Sequence, residues 1–75
     1  MKSVGIDIGS HSIKIAEVIQ TNKGTVVTSF REHVLGQNPA YDSELEILEY
    51  LRNLVPQYPI DQWKITLALR QEKVS

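Results

Sequence analysis

Near the start of the chain, Val4, Ile6 and Ile8 alternate with Gly5 and Asp7. A period of two belongs to a strand, and it sends the three apolar side chains to one face and Gly5 and Asp7 to the other. A small polar stretch, Gly9-Ser10-His11, follows, and then Ser12 to Gln20, where Ile13, Ile15, Val18 and Ile19 are β-branched. Ile15, Val18 and Ile19 would also fit a helical stripe, but β-branching and the turn signal Thr21-Asn22-Lys23-Gly24 favour a strand. The pattern therefore predicts adjacent antiparallel strands over Lys2 to Ile8 and Ser12 to Gln20, with Gly9 to His11 at the turn. Asn22 and Gly24 can both tolerate left-handed backbone in the next turn. Thr25 to Val34 reads as a third antiparallel strand with Val26, Thr28, Phe30, Glu32 and Val34 on one face.

Leu35 to Tyr41 carries glycine, asparagine and proline without either period, and reads as a connection. Ser43 followed by Glu46 has capping-box spacing, and Leu45, Leu48, Leu51 and Leu54 with Ile47 and Val55 form an apolar stripe. A helix from about Ser43 to Val55 follows, stopped by Pro56 and Pro59 because proline lacks an amide donor and disfavours helix in the residue before it. The last strand, Trp63 to Arg70, puts Ile65, Leu67 and Leu69 on one side and Thr66 and Ala68 on the other, with both faces expected to be at least partly covered. The order β-β-β-α-β implies an α/β fold with a mixed sheet, strand four lying parallel to strand one after a right-handed crossover.

Composition adds limits. The chain has 75 residues, 41% hydrophobic and 23% charged, an ordinary globular balance that allows one domain at most, over residues 1–75, with a thin core. It contains no cysteine, which excludes a disulfide framework or thiolate metal site and fits a reducing cytoplasm. A net charge of −1 makes no electrostatic case for nucleic acid or an anionic membrane surface. No apolar run has transmembrane length, and Met1-Lys2-Ser3-Val4 leads into a strand rather than a signal-peptide core, so a soluble cytoplasmic chain without membrane insertion is expected. His11 and His33 fall on different elements with no cysteine to complete a ligand set, and both are expected to face solvent, as are Arg31, Glu32, Arg52 and Arg70. Trp63 is expected to pack at a strand start. There is no internal repeat, linker, Gly-x-x-x-x-Gly-Lys or Gly-x-Gly-x-x-Gly.

The candidate chemistry lies at the first turn. Asp7 ends a strand, Gly9 offers backbone freedom and close approach, and Ser10 and Ser12 place hydroxyls beside the amides of residues 9 to 12. Such a turn suits phosphate oxygens, Lys14 can reach the same anion, and Asp7 can hold a hydrated divalent cation bound to it. Taken singly, Asp7 could accept turn amides, Gly9-Ser10 could be an ordinary tight turn and Lys14 a solvated strand residue.

Asp7-Ile8-Gly9-Ser10 followed by Lys14 resembles the first phosphate motif of the actin, sugar-kinase and Hsp70-chaperone superfamily. Within it, Gly5 to Ser10 with Ser12-Ile13-Lys14 and Glu17-Val18 is most similar to the pilus-assembly PilM family and the cell-division FtsA family. The resemblance implies a partial ribonuclease H-like, actin-like subdomain with strand order 3-2-1-4, lacking a fifth strand and further helices, so that the chain would be an N-terminal fragment. It implies ATP and Mg2+ as cofactors of the full-length parent. Asp7 would engage the metal through water, and Gly9, Ser10, His11, Ser12 and Lys14 would surround the phosphates. His11 departs from the small residue expected there and could crowd the phosphate or point to solvent. The implied role is an ATP-binding scaffold for type IV pilus or related secretion assembly at the cytoplasmic face of the inner membrane, whose partner docks a short cytoplasmic peptide. Slow ATP hydrolysis is conceivable in the parent and not in the fragment. A small-molecule or sugar kinase of the same superfamily is the enzymatic alternative, and a degenerate structural module that has lost nucleotide is a third. With one helix for two apolar faces, the isolated fragment is expected to self-associate.

Overall fold

The computed structural model describes residues 2–40 and 42–69. The elements run β1 (Lys2–Ile8), β2 (Ser12–Thr21), β3 (Gly24–Val34), α1 (Ser43–Leu54), a 3-10 turn (Val55–Gln57) and β4 (Trp63–Leu69). Ser12 to Gln20 is thus strand, not helix. Tyr41 at the end of the connection and Arg70 at the end of the last strand lie outside the described residues, and with them the solvated position expected for Arg70.

The four strands form one sheet in the order β3-β2-β1-β4. β1 pairs antiparallel with β2 and parallel with β4, and β2 pairs antiparallel with β3. The register follows from alternation. Val4, Ile6 and Ile8 lie beside Ile13 and Ile15 on one face, where α1 covers them, and Val4, Ile6, Ile13 and Ile15 are at most 2% exposed. Each such side chain removed from water contributes about 1.5 to 3 kcal/mol, so these four dominate the core. Leu54 and Tyr58 complete it from the helical layer. The molecule is only 18 Å thick along its shortest axis, the depth of one sheet and one helix.

Four details differ from the sequence pattern. The helix is capped by Asp42, whose carboxylate accepts from the Glu44 amide at 3.0 Å, and not by Ser43. Glu46 cannot close a capping box because its carboxylate is used elsewhere, accepting from the Gly36 amide at 3.0 Å and contacting His33 Nε2 at 3.1 Å. The inward stripe of α1 is Ile47, Tyr50, Leu51 and Leu54, whereas Leu45 and Leu48 are 47% and 65% exposed. Tyr50 takes the place expected of them because it stacks on His33, centroids 4.2 Å apart. His33 is therefore half-buried rather than solvent-facing.

The third difference lies in β3. Glu17 pairs with Ser29 but Val18 with Val27, so Thr28 is an extra residue, a bulge held by its hydroxyl donating to the Glu17 carbonyl at 3.2 Å. The bulge shifts the alternation: Phe30 and Glu32 keep one face, while Val26 moves to the other and Val27 takes its place. Lastly, β4 is partly covered on the face that α1 shares, where Trp63 and Ile65 are half-buried while Leu67 and Leu69 are 53% and 67% exposed, but its other face, with Thr66 and Ala68, is exposed. In the β2–β3 hairpin the left-handed backbone falls on Gly24 (φ 124) and not on Asn22.

Candidate functional site

β1 and β2 turn back on each other through Gly9, Ser10 and His11. The Gly9 amide donates to the Ser12 carbonyl at 2.9 Å, and the Leu35 amide donates to the His11 carbonyl at 2.8 Å, which ties the turn to the end of β3. Gly9 does not adopt positive φ, so it is not needed for left-handed backbone. It is needed for closeness, since a Cβ there would sit 3.3 Å from the Ser12 carbonyl oxygen. The same bond takes the Gly9 amide out of any phosphate cradle. Among the described residues the amides of Ser10 and His11 and the hydroxyls of Ser10 and Ser12 make no hydrogen bond. Ser10 and His11 are exposed, and Gly9 and Ser12 half-buried.

Asp7 stands directly opposite Lys14 across β1 and β2, and Lys14 directly opposite Glu32 across β2 and β3. All three are exposed on the sheet face away from α1. Among the described residues Asp7 and Lys14 come within no ion-pair or hydrogen-bond distance of any side chain. An ammonium flanked by a carboxylate on either side thus remains available to an incoming ligand. Glu32 was expected to be merely solvated. The phase of β3 after the bulge is what brings it into this row, and no local signal in the sequence marks that phase.

Behind the row lies a groove of about 270 Å³. Gly5, Ala16 and Ala68 form its floor, with Phe30 and Thr66 at its sides and Asp7 and Lys14 at the end nearest the turn. The floor is low because three neighbouring strands carry small residues in adjacent register, Gly5 opposite Ala16 and Asp7 opposite Ala68. Phe30 is 62% exposed. Gly5 and Asp7 were legible as one face, and Ala16 shares the phase of Lys14, so a groove on this side could have been read from the alternation alone.

The sheet's other face holds a cluster that sequence reasoning missed. Arg31 Nη2 donates to the Tyr58 oxygen at 2.7 Å, and the Tyr58 hydroxyl donates to Glu17 Oε2 at 2.7 Å. Burial pushes the Tyr58 phenol above its ordinary value, the hydrogen bond to Glu17 adds to the shift, and the Arg31 charge opposes it. Trp63 packs edge-on against Tyr58 at 4.9 Å, with the Lys2 ammonium 4.9 Å from the indole centroid. Trp63 thus packs at its strand start as expected, while Arg31 is a tether between sheet and crossover.

The described residues hold no group of three or more His, Cys, Asp or Glu side chains arranged for a metal, and no helix among them is long and apolar enough to cross a membrane. No protein-family model matches the chain, and no curated protein does. Among solved structures, it is similar to the crystal structure of the type II variant of the Aquifex aeolicus Ppx/GppA phosphatase, at 17% identity and a TM-score of 0.54. The match covers 89% of this chain and 26% of that one, so the chain spans about a quarter of the phosphatase's length. A likeness at that identity is one of fold, and what it carries is the mixed sheet of order 3-2-1-4 with a helical crossover. The fold of this chain is consistent with a partial actin-like fold.

Proposed function

We propose that this chain is the N-terminal part of a PilM-like, actin-fold ATP-binding scaffold and that its first turn holds nucleotide phosphates. The observation that carries the reading is the cross-strand pair of Asp7 and Lys14, opposite charges in register that, among the described residues, have no side-chain partners and stand beside a turn whose Ser10 and His11 amides are unbonded. Lys14 would meet the phosphate charge, and the amides and serine hydroxyls would accommodate its oxygens. Mg2+ fits this donor set in one way. A single carboxylate suits an ion that keeps several waters and shares its coordination with phosphate, so Asp7 would hold it through water. Bound there, the ion would neutralise phosphate charge; orientation would come from the turn. The groove behind the row supplies an apolar wall with Phe30 at its side.

On this reading nucleotide is a switch, and the partner is an inner-membrane pilus or secretion assembly protein that contributes a cytoplasmic peptide. The test uses the 75-residue chain itself. Titration with Mg-ATP into the millimolar range, followed by amide NMR shifts, should move residues 7 to 14 selectively, while adenosine should not. Asp7→Ala and Lys14→Ala should each weaken the response about ten- to a hundred-fold, the loss of a charge-assisted contact of about 1.5 to 3 kcal/mol. Unchanged spectra, or equal responses in wild type and both variants, would reject these roles. Two observations favour a second reading, a structural module that has lost nucleotide. The Gly9 amide is spent on Ser12, and Lys14 is flanked by Glu32 as well as Asp7, which lowers the positive potential a phosphate would meet. Unchanged spectra would support that alternative.

A further inference from the structure

The Ser10 and His11 amides, unbonded among the described residues, hang between two pinned points of the first turn. On one side the Gly9 amide is held by the Ser12 carbonyl, within the turn itself. On the other side the His11 carbonyl is held from outside, by the Leu35 amide at 2.8 Å, one step beyond the last β2–β3 pair of Ser12 and Val34. Each peptide unit is planar, so the units carrying the two unbonded amides take their direction from both pins. The inner pin is local to the hairpin. The outer one is only as firm as whatever holds Leu35.

Leu35 is held from α1. Its side chain packs against the core, and the next residue, Gly36, donates its amide to Glu46 Oε1 at 3.0 Å. Gly36 is exposed and left-handed, with φ 78, and glycine has more backbone freedom to lose than any other residue, so this stretch depends on that bond to stay in place. The other oxygen, Glu46 Oε2, contacts His33 Nε2 at 3.1 Å, and His33 is itself fixed by stacking on Tyr50, one helical turn after Glu46. One carboxylate thus grips the chain on both sides of Leu35, at residues 33 and 36. The Glu46 side chain is 16% exposed, so water is a poor substitute for either contact.

We propose that Glu46 is a positioning residue of the first turn: by holding Gly36 and His33 it keeps the Leu35 amide on the His11 carbonyl, and so sets the direction of the Ser10 and His11 amides. The consequence for phosphate rests on the reading of this turn as a phosphate site, whereas the positioning itself does not. Coupling between two places in a molecule is reciprocal, so phosphate filling the turn would tighten the same bonds in return and steady the start of α1. The nucleotide switch would then have a physical route, from the turn through Leu35 and Gly36 to Glu46 on the helix.

Amide exchange and NMR shifts of the 75-residue chain, taken first without ligand, test the positioning. Glu46→Ala should speed exchange of the Leu35 amide about tenfold, the effect of one lost hydrogen bond to a charged acceptor, and should move the Ser10 and His11 resonances. Glu46→Gln keeps an acceptor for the Gly36 amide and should leave both close to wild type. Tyr58→Phe removes hydrogen bonds beyond the far end of α1, and should lower stability without moving the turn. If Glu46→Ala does not fold, Glu46→Asp, shorter by one methylene, should show the same changes in smaller measure. With Mg-ATP added, Glu46→Ala should weaken the response of residues 7 to 14 about five- to tenfold, and in the wild type exchange at Leu35 and Gly36 should slow as the turn fills. Leu35 exchange and Ser10 and His11 resonances that stay at wild-type values in the folded Glu46 variants would overturn the proposal, and so would equal changes in Tyr58→Phe. A wild type silent to Mg-ATP would reject the phosphate reading alone, since the ligand-free spectra decide the positioning.

Discussion

Tyr58 is 3% exposed, yet its hydroxyl joins an exposed guanidinium to a half-buried carboxylate. Replacing it with phenylalanine keeps the ring packed on Trp63 but leaves Arg31 and Glu17 to be satisfied by water, which both can reach. Tyr58→Phe should cost about 1 to 2 kcal/mol in urea denaturation at neutral pH. The pH dependence has a definite sign. A phenol whose folded pKa lies above the unfolded value of 10.0 holds its proton more tightly in the folded state, so its contribution is complete below pH 10 and is lost as pH rises through the folded value. The gap between wild type and Tyr58→Phe should therefore narrow in denaturation curves taken at increasing alkalinity, and a constant gap would show that the phenol is not perturbed. None of this is visible in the sequence, because Tyr58 lies 27 residues from Arg31 and 41 from Glu17. Asp7 and Lys14 were legible for the opposite reason: seven residues and one turn separate them, and alternation alone fixes their shared face.

Among the elements, α1 shows how far local rules reach. The Leu, Ile and Val spacing located the helix within a residue of its observed end, and Pro56 fits where it stands because it opens a 3-10 turn. The cap was misassigned by one position since Asp42 and Ser43 are both good N-cap residues, and the choice depended on Glu46 being drawn away to His33 and Gly36. Asp42→Ala should accordingly destabilise the chain by about 1 kcal/mol, while Ser43→Ala, at the first helical position, should change stability by well under half of that. Equal losses in thermal or urea melts would restore Ser43 as the cap. Strand order and pairing were accessible through resemblance and pattern together. The bulge in β3 was not, because one extra residue leaves a run of Thr and Val looking equally regular in either phase.

The described residues form a single sheet with a single helical layer, and its bare side is where the proposed phosphate site lies. Covering α1 on one face protects Val4, Ile6, Ile13 and Ile15 completely, whereas the other face relies on small residues, Gly5, Ala16 and Ala68, to limit what it exposes. This division explains how 75 residues can hold a defined core and still present a flat groove. It also explains why the expected cover of β4 holds in part on the α1 side, at Trp63 and Ile65, and fails on the side of Thr66 and Ala68, where the described residues supply no second layer.

Thr28 has a bearing on how far such a chain can grow. A sheet with two adhesive edges adds copies without limit, while one with a single adhesive edge is used up after the first addition. The insertion at Thr28 interrupts the outer rim of β3, so the same interruption that reverses the alternation of Val26 and Val27 also makes that rim a poor template for an added strand. Concentrated solutions should then stay clear and bind no amyloid dye, whereas deleting Thr28 should give a species that scatters light and elongates with time. A wild-type chain that forms fibres would mean that the bulge does not block growth.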